Sequence, residues 1–389
     1  MKIVAKTGNE AMADAMRQIN PDVVAAYPIT PATEIVMIFA QFVADGLVGT
    51  EYVAVESEHS AMSACVGASA AGGRVMTGTS SQGLALMYEI LPIAAALRLP
   101  IVMCDVNRAI SGPINIHCDH SDTMAARDFG WIQIFSENSQ EAYDSLIQAI
   151  KIAEDPRVHL PAMVTTDGFI ISHCLDRIEV LEDKEVTDFI GKERKADASL
   201  LDVNKPVSIG SLDLQDYYFE HRRPVAEAMR GAKKIILEVA DEFGKKFGRK
   251  YGLFEEYRTA DAEFIAVALG STCGTAKVVV DELRSKGVKA GLLKIRVFRP
   301  FPGEEIAQVL SKAKAVAVLD RSDPWSSQGG QVFTEIRSAM FDLKTKPPIV
   351  NFIYGLGGRE IDLAQIRSVY DALQKIEKQP LVQYMGIRE

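Results

Sequence analysis

The 389-residue chain has only five cysteines and two tryptophans, no long apolar run and no excess of basic charge. Each shortage excludes something. Cys65, Cys104, Cys118, Cys174 and Cys273 are scattered, odd in number and without a Cys-x-x-Cys pair, so neither a zinc ribbon nor an iron-sulfur cluster can be assembled from this chain alone. With 43 Lys and Arg against 52 Asp and Glu, the net charge is -9, the wrong sign for counterion release on a phosphate backbone, and nucleic acid is not expected as a partner. The longest apolar stretch, Ile90 to Leu97, stops at Arg98, short of the roughly 18 to 20 residues of a spanning helix. No membrane insertion is expected. MKIVAKTGNE turns polar after five residues, so no secretory signal is expected and the expected location is the cytoplasm. Repeats and low-complexity tracts are also missing. Gly270 to Thr275 (GSTCGT) and Tyr354 to Glu360 (YGLGGRE) complete neither a GxGxxG fingerprint nor a Walker pattern, and read as tight strand-to-helix turns.

What is present is 48% hydrophobic residues, enough for a core of ordinary size, in a chain long enough for two or three domains. Short β-branched runs alternate with longer helical ones, the pattern of an α/β fold with a parallel sheet. Strands are expected near Val23 to Tyr27, Tyr52 to Glu56, Val75 to Thr79, Ile101 to Val106, Trp131 to Phe135 and Ala162 to Thr166. Helices fall between them at Glu10 to Ile19, Thr33 to Asp45, Glu58 to Ala71, Leu84 to Leu97 and Ser139 to Glu154. From about 176 to 222 periodicity fades and charge rises, as in a linker. The expected division is a first domain over 1-222 including that linker, a connecting helix over 223-255, and a second α/β domain over 256-389.

In open parallel sheets ligands bind beyond the carboxyl ends of the strands. Those ends here carry Pro28-Ile29-Thr30-Pro31, Ser57-Glu58-His59-Ser60, Ser80-Ser81-Gln82-Gly83, Asn107-Arg108 with its long loop, and Asp167-Gly168. A carboxylate, an arginine, hydroxyls and glycine turns on one rim make a ligand site. The residues alone leave two readings of each. Glu58 is either a first-turn charge facing the helix dipole or a partly buried acid in need of a specific partner. Arg108 is either a surface cation or a fork for a carboxylate or phosphate. Thr30 is either an N-cap or a free donor on a rigid turn. His117, Asp119, His120 and Asp122 fit no regular metal-ligand spacing and read as a solvated active-site loop.

These segments resemble a known family. AAYPITP at Ala25 to Pro31, VESEHSAM at Val55 to Met62, TSSQGLALM at Thr79 to Met87, NRAISGPINIHCDHSD at Asn107 to Asp122 and ENSQEAYD at Glu137 to Asp144 closely resemble the α subunits of pyruvate:ferredoxin oxidoreductases, within the 2-oxoacid:ferredoxin oxidoreductase family. RVFRPFP at Arg296 to Pro302, AVLDRSD at Ala317 to Asp323 and YGLGGRE extend the resemblance almost to the C-terminus. It implies a thiamine diphosphate pyrimidine-binding domain, a parallel sheet with helices on both faces, followed by a transketolase C-terminal-like α/β domain. By the same resemblance Glu58 hydrogen-bonds the aminopyrimidine ring, Tyr27, Pro28, Ser81 and Gln82 line the cofactor, and Thr30 and Arg108 hold the 2-oxoacid. The implied reaction takes pyruvate, coenzyme A and oxidised ferredoxin reversibly to acetyl-CoA, carbon dioxide and reduced ferredoxin. No Gly-Asp-Gly segment with its following asparagine occurs here. The resemblance therefore implies a β subunit carrying the diphosphate site with Mg2+ and a [4Fe-4S] cluster. It further implies a ferredoxin-like δ subunit with more clusters, a γ subunit, and self-association within a larger hetero-oligomer. A branched-chain, aryl or other 2-oxoacid as substrate, or a noncatalytic scaffold role, stands as the alternative.

Overall fold

The computed structural model describes residues 2–194 and 199–388. The chain opens with β1 (Lys2–Lys6) and α1 (Gly8–Ile19), then alternates β2 (Val23–Ala26), α2 (Thr33–Ala44), β3 (Glu51–Ala54), α3 (Glu58–Ala70) and β4 (Val75–Thr79). Two short helices, α4 (Ser81–Met87) and α5 (Leu91–Ala96), lead to β5 (Val102–Asn107). There follow α6 (Ser121–Ala125), β6 (Ile132–Phe135), α7 (Ser139–Glu154), β7 (Ala162–Asp167), β8 (Asp176–Val180), α8 (Asp183–Ile190) and the long α9 (Tyr218–Phe247). A second series runs β9 (Phe254–Tyr257), β10 (Phe264–Ala268), α10 (Thr272–Ser285), β11 (Ala290–Ile295), β12 (Val297–Arg299), α11 (Gly303–Leu310), β13 (Ala315–Asp320), α12 (Gln331–Met340), β14 (Ile349–Tyr354), α13 (Leu363–Leu373) and β15 (Val382–Met385).

The first sheet has the order β12-β6-β7-β5-β4-β2-β3, all parallel except β12. Its central strands β4, β5 and β7 are buried along their whole length, which is why they read as near-continuous apolar runs. Local signals start the covering helices. The Thr7 side chain accepts from Glu10 N–H in a capping box at α1, and Asn138 accepts from Glu141 N–H at α7. The second sheet has the order β15-β14-β13-β10-β11-β9, parallel except for the β9 edge.

Three features depart from the sequence expectation. The stretch read as a linker begins with β8, which pairs antiparallel with β1, and continues into α8. Both strands of that ribbon are short, β1 is largely uncovered and β8 buries only Ile178 and Val180, so they carry little hydrophobic signal. Within the same stretch, 199-217 holds neither helix nor strand, and 195-198 lie outside the described residues, as do residues 1 and 389 at the ends of the expected domains. The expected connecting helix starts earlier, at Tyr218, and ends at Phe247, where Gly248 takes the left-handed conformation with φ 77°. It passes through Pro224, which gives up one backbone bond near the start, while Val225, Ala228, Ala232, Ile235, Val239 and Phe243 keep one apolar face inward. Finally, KAGLLKIRVF is two strands. β11 ends in the second sheet, and β12 crosses to pair antiparallel with β6, Val297 opposite Ile134.

That crossing joins the two sheets, and buried charge seals the seam. Lys294 reaches Glu137 and Glu141, each at 2.7 Å. Burial alone would lower the Lys294 ammonium, but the two carboxylates outweigh it and hold it above its usual range. Among the described residues no helix is long and apolar enough to cross a membrane.

Candidate functional site

In the first sheet the chain runs outward from β2 to β3 and then back past β2 to β4 and β5, so the strand order reverses beside β2. A crevice opens at such a reversal, beyond the carboxyl ends of the strands. The segments that follow β2, β3, β4 and β5 all lie at that edge.

Glu58 is the first residue of α3, whose N-cap Ser57 accepts from Ser60 N–H at 3.2 Å. The Glu58 side chain is 6% exposed and has no hydrogen-bond or ion-pair partner among the described residues. At that exposure Glu58 is more enclosed than a surface first-turn charge, and its carboxylate oxygens stay open as acceptors. Gly83, in the first turn of α4, makes room for it: a Cβ there would lie 2.6 Å from Glu58 Oε1 and overlap Thr79 Oγ1. The sequence reading gave Gly83 only a turn role, and the steric one is visible in three dimensions alone.

Arg108, directly after β5, is 7% exposed. Its Nε donates to the Asn115 carbonyl and its Nη1 to the Thr30 carbonyl, both at 2.9 Å. Burial presses this guanidinium below its usual range, opposed by the Asp122 carboxylate. Thr30 is exposed, and its hydroxyl does not cap α2, whose N-cap is Ala32 with no side-chain cap bond. The N-cap alternative for Thr30 therefore fails. Tyr27 and Pro28 are exposed beside it. Ser81 is fully buried at φ 44°, and its hydroxyl donates to the Ala109 carbonyl at 2.7 Å. Gln82 remains partly exposed next to it.

Asp122 binds these pieces together. Its Oδ2 accepts from the backbone N–H of Ser81 at 3.1 Å and of Arg108 at 2.9 Å, and its Oδ1 accepts from Asn107 Nδ2 at 2.9 Å and Thr123 N–H at 2.8 Å. Asp105, in the middle of β5, has one donor, Asn107 Nδ2 at 3.2 Å. Burial and the neighbouring Asp122 push the Asp105 carboxyl well up, and burial also raises Asp122, to about 6, against the pull of its four donors.

The expectation of a solvated loop around His117 to Asp122 is corrected by the structure. Cys118, Asp119, His120 and Asp122 are all buried, and only His117 faces solvent. The cause is the second sheet, which lies over the loop. His120 N–H donates to the Arg321 carbonyl at 2.8 Å, and Gly358 N–H to the Cys118 carbonyl at 2.6 Å. His120 Nε2 lies 2.8 Å from Asp167 Oδ1, while Ser271 N–H at 3.1 Å and Arg321 Nη1 at 3.1 Å reach Asp167 Oδ2. Burial would raise the Asp167 acid, but His120, Arg321 and Ser271 prevail and hold it below the usual carboxylate range. Cys118, His120 and Asp167 could together face a metal ion. Arg321 already supplies the cation there, and burial pushes the Cys118 thiol well up, away from the thiolate a metal requires. Sequence reasoning missed Asn115; it named Asp122 and Asp167 near the site without the bonds that make one a clamp and the other a hub.

Residues 14–241 match the family model described as pyruvate flavodoxin/ferredoxin oxidoreductase, thiamine diP-binding, and residues 262–366 match pyruvate:ferredoxin oxidoreductase core domain II. The chain is 55% identical over 387 residues to the pyruvate synthase subunit PorA of Thermotoga maritima, covering 99% of this chain and 98% of that protein. It is 43% identical over 371 residues to the ketoisovalerate oxidoreductase subunit VorA of Pyrococcus abyssi, covering 95% and 93%. Among solved structures, a 2-oxoglutarate:ferredoxin oxidoreductase from Magnetococcus marinus, with 2-oxoglutarate, coenzyme A and succinyl-CoA bound, superposes with a TM-score of 0.73 at 20% identity. That match spans 94% of this chain and 64% of the other, and shows a shared fold.

Proposed function

Given that the chain belongs to the pyruvate flavodoxin/ferredoxin oxidoreductase family, we propose that it is the α subunit of a pyruvate:ferredoxin oxidoreductase and supplies the pyrimidine half of a thiamine diphosphate site. The observation that carries this reading is the Glu58 carboxylate, buried without a partner at the sheet edge behind Gly83. A buried acid with its acceptors open, and a glycine clearing space beside it, fits a ring nitrogen that can donate a proton. When bound, thiamine diphosphate supplies an acidic thiazolium carbon that adds to the 2-oxo carbon and holds the electron pair left by carbon dioxide. Glu58 orients the aminopyrimidine ring and, as a general acid and base, sets which ring nitrogen carries the proton. Tyr27, Pro28, Ser81 and Gln82 shape the wall beside it, Ser81 chiefly by tying the segment after β4 to Ala109. Arg108 meets the substrate carboxylate with the N–H groups left free by Asn115 and Thr30, and the Thr30 hydroxyl donates beside it.

The diphosphate, Mg2+ and the first [4Fe-4S] cluster belong to a β subunit in this reading, further clusters to a ferredoxin-like δ subunit, and a γ subunit completes a cytoplasmic complex. Coenzyme A takes the acetyl group and ferredoxin the electrons. The test is a substrate panel on the assembled complex. Pyruvate is expected to exceed 2-oxoisovalerate in kcat/KM by about tenfold or more, within reach of a few apolar contacts. A preference for 2-oxoisovalerate would move the chain to the ketoisovalerate type, and no turnover of any 2-oxoacid would leave a noncatalytic scaffold.

A further inference from the structure

Arg108 is not held by its own sheet alone. The carbonyl that receives its Nε belongs to Asn115, a residue in no helix or strand, and the Asn115 side chain turns away toward the second sheet. There its Nδ2 donates to the Gly357 carbonyl at 3.0 Å, while its Oδ1 accepts from His117 N–H at 2.7 Å. Gly357 sits at φ 59° in the turn after β14, and a Cβ on it would come within 2.5 Å of Asn115 Nδ2. Its neighbours fix the same contact. Gly357 N–H donates to Asp119 Oδ2 at 3.1 Å, Gly358 N–H donates to the Cys118 carbonyl, and a Cβ on Gly358 would overlap His117. The glycine turn is thus a socket for the segment from Asn115 to Asp119. Glu58, by contrast, is placed by α3 and Gly83 and has no contact with that turn among the described residues.

The geometry points to Asn115 as a positioning residue that carries the placement of the Gly355 to Gly358 turn to Arg108, so that the second sheet sets affinity for the carboxylate of the 2-oxoacid without touching it. This rests on Arg108 being the substrate cation, as proposed above. A guanidinium anchored by two carbonyls presents its remaining N–H groups in one direction, and with one anchor loose the long side chain sweeps. The consequence is a split: carboxylate binding depends on the socket, and cofactor activation does not.

The test uses the assembled complex with Asn115→Ala, Gly357→Ala and the double variant. Two readouts are taken: calorimetric binding of oxamate, an unreactive isostere of pyruvate, and proton exchange at the thiazolium carbon of bound thiamine diphosphate. Each single variant is expected to weaken oxamate by about tenfold, the scale of one misaligned charged hydrogen bond, with exchange within about twofold of wild type. The double variant is expected to lose no more than the worse single, because both break one path. Wild-type oxamate affinity in the single variants overturns the inference, and so do additive losses or a parallel fall in exchange. A wild-type complex that neither binds oxamate nor turns over any 2-oxoacid removes the functional reading itself and this inference with it, a result distinct from variants without effect.

Discussion

Of the five N–H groups of an arginine, two in Arg108 are committed to the carbonyls of Thr30 and Asn115, which leaves three without a partner among the described residues. Those three sit on Nη1 and Nη2, so in the proposed site a substrate carboxylate would be met end-on, at the tip of the guanidinium. A lysine keeps the charge but has neither the planar tip nor the second anchor. Arg108→Lys is therefore expected to raise KM for pyruvate by roughly ten- to a hundredfold, the range for one lost charged hydrogen bond, while proton exchange at the thiazolium carbon stays near wild type. Steady-state kinetics and exchange on the same assembled preparation check this, and equal losses in both would show that Arg108 supports the fold instead. The placement of Glu58, Arg108 and Thr30 at the sheet edge was legible because chemistry-bearing residues after strands stand out against apolar runs. Asn115 was not, because its role depends on Gly357, which is 242 positions away along the chain.

At the scale of elements, Asp320 at the end of β13 holds the start of α12: it accepts N–H from Val332 at 2.8 Å and from Phe333 at 3.2 Å, and Asn351 Nδ2 at 2.8 Å. It is fully buried, and burial pushes its acid up to about 6 despite those donors. Between the unfolded value near 3.9 and about 6 the native state keeps a proton that the unfolded chain has released, so this contribution to stability falls as pH rises through that window and is flat above it. Asp320→Asn has no such slope. The stability advantage of wild type over the variant is expected to shrink by about 1 kcal/mol between pH 5 and pH 7 in denaturant unfolding, and an unchanged gap would contradict the assignment. The parallel strands of the first sheet were readable, since strands buried on both faces must be apolar and bounded by turns. The β12 crossing was not: LLKIRVF is one strand-forming run with no turn residue in it, and only the neighbourhood of β6 decides where it divides. The ribbon of β1 and β8 escaped for a different reason: β1 buries none of its residues and β8 only Ile178 and Val180, too little apolar pattern to mark a strand pair.

For the whole molecule, the segment from His117 to Asp122 looked solvated because its composition is polar, whereas the turns after β13 and β14 cover it from Cys118 onward, and His120 is satisfied through Asp167 beside Arg321. Composition cannot report what lies above a loop. It does report what the chain lacks, and a chain without cluster cysteines or a diphosphate motif is expected to show no pyruvate-dependent ferredoxin reduction when purified without partners. Turnover by the isolated chain would overturn the shared-site arrangement. The central claim is that this chain activates the cofactor through Glu58, and proton-deuterium exchange at the thiazolium carbon in the assembled Glu58→Gln complex tests it most directly. The amide keeps the shape and cannot take the proton, so exchange is expected to slow by at least about a hundredfold with the complex intact; exchange at the wild-type rate would contradict the claim.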